Sequence, residues 1–256
     1  MKKLLTLVLA SLLVLSLAVG ALADGKITAY GAYQEDELKF MFDAFKAETG
    51  IEVFYVRLSA SELFTRIQAE AENPQVSLWF GTSGVAYAWL SSMVSLMGED
   101  AAIAYMQKLD KNIVQYSKGG AAPARMAGLG ESGVGLCWSC DALNTIDAGY
   151  KLTLTYPEEG TPFEITGMAL VKNGPADEME NAKKYMDWAI TKEAQKMYVD
   201  KYYRLPVVEG VEIPSALTAF SDLNTISVDR AFASENRARL IERFEKDVRG
   251  SENVIK

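Results

Sequence analysis

Residues 26–80 read KITAYGAYQEDELKFMFDAFKAETGIEVFYVRLSASELFTRIQAEAENPQVSLWF, and this stretch decides the fold. Residues 26–30 form a short apolar run with strand character. In residues 35–49, Leu38, Phe42 and Phe45 recur at helical spacing, and Gly50 stops the helix. Residues 51–57 are rich in β-branched and aromatic side chains and read as a second strand. Ser59-Ala60-Ser61-Glu62 is a capping box that opens a helix running to about Glu72. Residues 76–80 are a third strand. A βαβαβ opening predicts an α/β fold with a parallel-rich sheet and flanking helices.

Before this stretch, Lys2 and Lys3 precede a nearly unbroken apolar run over residues 4–19, and Ala21-Leu22-Ala23 follows it. That is the pattern of a secretory signal peptide cleaved after Ala23, favoured over an uncleaved anchor because the run is short for a membrane span. No Cys follows the run to serve as a lipid attachment site. The expectation is a periplasmic or secreted chain starting at Asp24. The net charge is −8, and loss of the two lysines would take it to −10. An acidic chain is poorly suited to nucleic acid, whose phosphates need clustered Lys and Arg. With no His at all, a Ser-His-Asp triad and an imidazole metal site are excluded. No phosphate-loop lysine motif or metal-ligand cluster appears. The reading is a binding protein, not an enzyme, with no cofactor.

Past Gly81 the pattern is mostly helical. Thr82-Ser83-Gly84 leads into a helix with Val85, Trp89, Met93 and Leu96 on one face, and residues 100–109 form another. Tyr116-Ser117-Lys118-Gly119-Gly120 is a polar loop before a short Ala-rich helix. Residues 133–138, 151–156 and 163–172 read as strands, and Asp141 as the cap of the helix between the first two. Residues 177–190, 192–202 and 229–248 read as helices, with residues 204–208 extended. The charged face over residues 235–249 reads as solvated, with intrahelical ion pairs.

Several segments resemble one family, the periplasmic substrate-binding proteins of ABC importers that take ferric iron, phosphorylated sugars or phosphonates. They include Ala29-Tyr30-Gly31-Ala32-Tyr33, Phe45-Lys46-Ala47-Glu48-Thr49-Gly50-Ile51, Arg57-Leu58-Ser59 and Leu78-Trp79-Phe80-Gly81. Further along come Leu96-Met97-Gly98-Glu99-Asp100, Tyr156-Pro157-Glu158-Glu159-Gly160-Thr161 and Tyr203-Arg204-Leu205-Pro206-Val207. The order holds along nearly all of the chain past Ala23. The resemblance implies the type II periplasmic-binding-protein fold: two α/β lobes joined by crossing strands that close on a ligand, with ABC permease subunits as partners. It divides the chain into a signal peptide (1–23), the start of a first lobe (24–81), an incomplete second lobe (82–155) and a return to the first lobe with C-terminal helices (156–256). One departure stands out. Gly81 runs straight into Thr82-Ser83-Gly84, where the family pattern places the rest of the first lobe, a hinge crossing and the start of the second. On the order of 80 residues are missing for a bilobed architecture. Such a chain is expected to expose apolar faces and unpaired edges, and so to be marginally stable or to associate with another subunit.

Parallel α/β sheets bind ligands at the carboxyl ends of their strands, and a helix start offers free N–H groups to an anion. Four places meet that description: Ala32 and Tyr33; Ser59 and Ser61; Thr82, Ser83 and Gly84; and Ser117 with Lys118. For a lone Ser, plain capping is the simpler role; four such places in segments resembling the family's cleft favour an oxyanion site. In phosphosugar-binding relatives a His-Asp pair and the Glu of a Glu-Gly-Thr stretch contact ligand hydroxyls. The resemblance carries these roles to Asp141, Glu159 and Thr161, with Cys140 where the His would be. The expected ligand is therefore small and anionic: a phosphorylated sugar, a phosphonate or a carboxylate. Three alternatives remain: a non-binding or sensor remnant of such a protein, ferric iron through Tyr202-Tyr203, and thiol redox chemistry through Cys137-Trp138-Ser139-Cys140. For the cysteines, two unbonded, partly buried thiols are favoured over a local disulfide.

Overall fold

The computed structural model describes residues 25–81, 85–117 and 119–249, without the side chains of Ser61, Val85 and Ala86. The segment expected to be a signal peptide, together with Thr82, Ser83, Gly84 and Lys118, lies outside the described residues. The chain forms two compact units. Of the described residues, one comprises 25–81 together with Gly167–Ala189, and the other comprises those between 85 and 166 and between 190 and 249. Of the segment from residue 156 onward, only Gly167–Ala189 belongs to the first unit.

The first unit is built on a four-stranded sheet of order β2-β1-β3-β4. Its strands are β1 (Lys26–Gly31), β2 (Glu52–Arg57), β3 (Leu78–Gly81) and β4 (Gly167–Leu170). β1 pairs parallel with β2 and with β3, and β4 runs antiparallel to β3. Helix α1 (Glu35–Thr49) lies between β1 and β2 in sequence. Its buried positions Leu38, Met41, Phe42 and Phe45 follow the 3–4 residue spacing of a core-facing stripe. Glu35, Asp36 and Glu37 occupy its first turn and Lys46 its last, which suits the helix dipole. Gly50 ends it with φ 75°, its N–H bonded to the Lys46 carbonyl at 2.8 Å, a left-handed stop that costs glycine little.

Register puts Gly31, Arg57 and Phe80 on one sheet face, because Gly31 stands opposite both. An aromatic core fills that face. Phe42 packs on Phe80 at 5.5 Å and on Tyr185 at 5.5 Å, and Phe45 packs on Trp188 at 5.3 Å. Tyr185 and Trp188 come from α7 (Met179–Ala189), the helix that follows β4. Each fully buried ring contributes about 2–3 kcal/mol of apolar transfer energy. A Cβ on Gly31 would meet the Phe80 ring at 2.9 Å, so this position takes no larger residue without displacing the core. On the opposite face Tyr30 packs with Leu63 and Val76, and Leu63 comes from α2 (Ala60–Ala69). Glu178, just ahead of α7, fastens the returning segment. Its carboxylate accepts from the Thr28 N–H at 2.7 Å, the Thr28 hydroxyl at 2.6 Å and the Ser77 hydroxyl at 2.8 Å.

The second unit is helical. Helices α3 (Val85–Met97), α4 (Glu99–Asp110), α9 (Arg230–Glu235) and α10 (Arg237–Phe244) belong to it, as do α5 (Ala122–Gly128), α6 (Ser139–Asp147) and α8 (Lys192–Tyr202). One core joins Leu90 and Val94 to Ile103, Met106, Leu240 and Val248. A smaller one joins Leu143, Val199 and Leu217. The buried face of α3 is therefore Tyr87, Leu90, Ser91 and Val94, not the face expected from sequence: Trp89 and Met93 are only half-buried and Leu96 is exposed. A helix apolar on nearly all sides offers no periodic signal with which to choose.

Of the three later strands expected from sequence, only Gly167–Leu170 pairs. Residues 151–156 do alternate, with Leu152, Leu154 and Tyr156 half-buried and Lys151, Thr153 and Thr155 exposed. The pattern is that of a strand, but a strand exists only where a neighbour takes its N–H and C=O groups. Among the described residues of this unit, the only ladder contact is the isolated parallel bridge between Thr161 and Thr225. Residues 133–138 likewise stay outside any sheet, with Val134 86% exposed, and Val114 and Val207 are also open to solvent. The final helix is broken: Asp229 caps α9 through the Phe232 N–H at 2.9 Å, and α10 begins beyond Asn236. Its arginines are not confined to intrahelical pairs. Arg239 and Arg243 reach Glu99, and Arg243 also reaches Asp100, at the start of α4.

Candidate functional site

In the first unit, β1, β2 and β3 are parallel and end together, so the chain leaves all three at one edge of the sheet. Ala32 continues β1 there, its N–H bonded to the Phe80 carbonyl at 3.2 Å, and the Leu58 N–H bonds the Gly31 carbonyl at 3.0 Å. Tyr33 is half-buried, its ring 6.1 Å from that of Phe80. Ser59 follows within two residues of the end of β2. The structure thus brings Ala32, Tyr33 and Ser59 to a shared edge. Ser61 lies in the first turn of α2. Thr82, Ser83 and Gly84 would leave β3 at the same edge in sequence but lie outside the described residues.

The edge is not a bare set of amides. Ser59 is the N-cap of α2 in a complete capping box: its hydroxyl and N–H donate to Glu62 Oε2 at 2.6 and 2.9 Å, and its oxygen accepts the Glu62 N–H at 3.4 Å. Gln34 caps α1 with no side-chain hydrogen bond, but three acidic residues fill the first turn behind it. Glu35 accepts the Tyr55 hydroxyl at 2.8 Å. Burial, that hydrogen bond and the Glu35 charge push the Tyr55 phenol up to about 12. Both helix dipoles are thus partly answered by carboxylates of the chain itself. One cation stands here. Arg57, the last residue of β2, donates from Nε to the Tyr33 carbonyl at 3.0 Å. In sequence Arg57 is the end of a strand and part of a family-like segment, with no mark of a ligand role. Its place depends on a carbonyl 24 residues away, which spacing does not reveal.

The remaining candidates lie in the second unit, each in its own local setting. The Ser117 hydroxyl donates to the Gly119 carbonyl at 3.0 Å. Cys140 and Asp141 are buried in the first turn of α6. The N-cap of that helix is Trp138, so Asp141 sits three residues in and does not cap it as expected. Its carbonyl accepts the Thr145 hydroxyl at 2.7 Å. Glu159 is exposed in a turn closed by the Gly160 N–H and the Pro157 carbonyl at 3.1 Å. Thr161 is fastened to residues 224–226 through the Asn224 carbonyl and the Ile226 N–H, at 2.8 and 3.0 Å.

No bond joins the Cys137 and Cys140 sulfurs. Burial, then the Asp141 charge, push the Cys137 thiol up to about 11, against a hydrogen bond from the Ala142 N–H. A thiol protonated at neutral pH is the opposite of an activated redox cysteine. Tyr202 is buried at the end of α8, 5.7 Å from the Tyr198 ring, and Tyr203 is its left-handed C-cap with φ 55°. The pair terminates a helix. A groove of about 440 Å³ in this unit is lined by Val94, Ser95, Gly98, Glu99, Ser227, Val228, Asp229 and Phe232, none of them a candidate. Its two carboxylates are committed, Asp229 to its cap and Glu99 to two arginines. An acid-rimmed groove does not suit an anion, so the candidate site is the sheet edge of the first unit.

A doubly flanked, mostly parallel sheet with loops gathered at its carboxyl edge defines a ligand-binding α/β class, and comparison with known proteins narrows it. Residues 85–222 match the model of the bacterial extracellular solute-binding protein family. An uncharacterized protein of Haemophilus influenzae is 32% identical over 172 residues, covering 66% of this chain and 49% of its own length. The chain thus spans about half the length of that curated relative. Among solved structures, the periplasmic binding protein AfuA from Actinobacillus pleuropneumoniae, with fructose-6-phosphate bound, superposes with a TM-score of 0.80 at 21% identity, over 89% of this chain and 99% of that one. The ferric binding protein from Campylobacter jejuni gives 0.71 at 17%, over 86% and 98%. The apo ferric ion-binding protein A of Pasteurella haemolytica gives 0.74 at 15%, over 90% and 99%. The chain belongs to the bacterial extracellular solute-binding protein family, and its fold is that of the type II periplasmic binding proteins.

Proposed function

We propose that this chain is the exported solute-binding component of an ABC importer and that it takes a small anionic ligand at the carboxyl edge of its parallel sheet. The observation that carries this is the meeting of the 31–33 and 57–59 loops at one edge, through the bonds between Leu58 and Gly31 and between Arg57 and Tyr33. That is where open parallel sheets receive ligands. Family membership supports a binding role rather than catalysis. The location is periplasmic, with cleavage after Ala23 and docking to permease subunits as the delivery step. Ala32, Tyr33 and Ser59 form the edge, with Ser61 in the turn that follows. Thr82, Ser83 and Gly84 would add a third loop. Ser117, Cys140, Asp141, Glu159 and Thr161 are second-unit contacts by resemblance alone.

The ligand class follows from two relatives. AfuA was solved with a sugar phosphate, and others are ferric binding proteins. Tyr202 is buried at the end of a helix and Tyr203 is its C-cap, so the sugar phosphate or a related oxyanion is the better supported choice. Thermal unfolding of the chain starting at Asp24 tests the reading against fructose 6-phosphate, inorganic phosphate, methylphosphonate, citrate and ferric citrate. At 100-fold excess over Kd, binding adds about 2.7 kcal/mol. For a chain of this size that raises the midpoint by roughly 5–10 °C. A flat response to the whole panel, checked by calorimetric titration, defeats the proposal.

A further inference from the structure

We infer that Arg57 is the charge-reading residue of this site: the fork of its two terminal guanidinium nitrogens receives the oxyanion of the ligand. The inference rests on the binding role proposed above and goes further by naming the group that recognises the charge.

Arg57 ends β2 on the same sheet face as Gly31, because the two stand opposite in register. The side chain reaches from there to the 32–33 loop. There Nε donates to the Tyr33 carbonyl at 3.0 Å. That bond uses the inner N–H and fixes the plane of the guanidinium. The outer edge, Nη1 and Nη2, keeps two parallel N–H groups, the fork that matches two oxygens of a carboxylate, phosphate or phosphonate.

Among the described residues no carboxylate pairs with that outer edge, although the chain is acidic and acids are close in sequence. Three of those acids are engaged elsewhere. Glu35 takes the Tyr55 hydroxyl, Glu62 takes the Ser59 N–H and hydroxyl, and Glu52 takes Lys46 at 2.5 Å. In a protein of net charge −8, a pinned and exposed arginine left out of the surface ion pairs is a cation with its outer face available to a ligand. The same bonding assigns the helix starts a smaller part. The capping box occupies the Ser59 side chain, and the acidic first turn of α1 opposes a second negative charge there. An anion at this edge therefore needs a positive side chain to offset those carboxylates, and Arg57 is the one in place.

The test compares the wild-type chain with Arg57→Gln and Arg57→Lys by calorimetric titration. The probes are inorganic phosphate, methylphosphonate and acetate at low and moderate salt, with circular dichroism and thermal midpoints to establish that each variant is folded. Loss of a charge-assisted bidentate contact predicts about 10- to 100-fold weaker binding of the preferred anion by Arg57→Gln. Arg57→Lys, which keeps the charge and loses the fork, falls between. The salt dependence of wild-type affinity flattens in Arg57→Gln, a change that a purely structural role for the Nε bond would not produce. The ranking of the three probes identifies the oxyanion. Wild-type binding with unchanged affinity and salt dependence in a folded Arg57→Gln overturns this inference and leaves the binding role standing. No binding of any anion by the wild type removes both.

Discussion

Glu178 is a buried carboxylate whose surroundings decide its charge. Burial pushes its pKa up, but hydrogen bonds from Thr28 and Ser77, with Lys26 at 3.3 Å, outweigh this and hold the carboxyl below its usual range. Glu178→Ala would leave the Thr28 N–H without its acceptor inside the sheet, while the two hydroxyls keep weaker alternatives in the Gln75 and Thr28 carbonyls. The expected loss is about 2–3 kcal/mol, read as a lower urea midpoint at pH 7; wild-type stability in that variant would show the latch to be idle. A folded-state pKa below the unfolded one means that Glu178 stabilises at pH values above the ordinary carboxylate range. That contribution is lost as pH falls through its depressed value. The difference between wild type and Glu178→Ala should therefore shrink in acid. The cysteines give a second residue-level outcome. With Cys137 half-buried and its thiol pushed up to about 11, and Cys140 buried, native protein should react slowly with a thiol reagent at pH 8, and both thiols should react promptly in urea. Rapid native reaction of Cys137 would contradict its raised pKa.

At the scale of elements, α4 and α10 are joined by Glu99, which accepts both Arg239 nitrogens at 2.7 and 2.8 Å and also pairs with Arg243. These two arginines, against some burial, hold the Glu99 carboxyl at about 2. Its contribution is present above the ordinary carboxylate pKa and disappears as pH drops toward 2. Glu99→Gln should be less stable than wild type at pH 7, and the gap should close between about pH 4.5 and 2; a gap unchanged across that range would mean the clamp carries nothing. This clamp was not legible in sequence, because its partners are 140 and 144 residues apart. What was legible is local. Leu38, Phe42 and Phe45 marked α1, Gly50 marked its end, and Ser59 with Glu62 marked the start of α2. Ser59→Ala should cost about 1 kcal/mol of stability through that cap, measured by urea unfolding. Residues 151–156 carried a true alternation, yet no strand formed, because alternation reports a half-buried extended segment and not the partner that makes it a strand. The site divides in the same way. Ala32, Tyr33 and Ser59 could be placed from strand ends alone, whereas the part played by Arg57 needed the fold to bring the Tyr33 carbonyl to it.

For the molecule as a whole, 34 acidic residues stand against 26 basic ones, and histidine is absent. Histidine is the side chain whose ordinary pKa falls between pH 5 and 8. Without it, no side chain with an ordinary pKa in that range is present to change the charge difference between folded and unfolded chains, and the Cys137 thiol, at about 11, lies above it. The thermal midpoint should therefore be nearly flat from pH 6 to 8. Below about pH 5 it should fall, as Glu178 and Glu99 lose the ionised forms that the folded state favours. Solubility follows a different rule. Near the isoelectric point of about 4.8 the net repulsion vanishes, while Val134, Val207 and Val114 remain open to solvent. Self-association should accordingly be greatest near pH 4.8 and decline toward pH 7, where the charge of −8 keeps copies apart. Differential scanning calorimetry and sedimentation across pH 3.5–8 measure both quantities. A distinct step in stability between pH 6 and 8, or association that is independent of pH, would mean that some group other than these carboxylates governs the pH response of the fold.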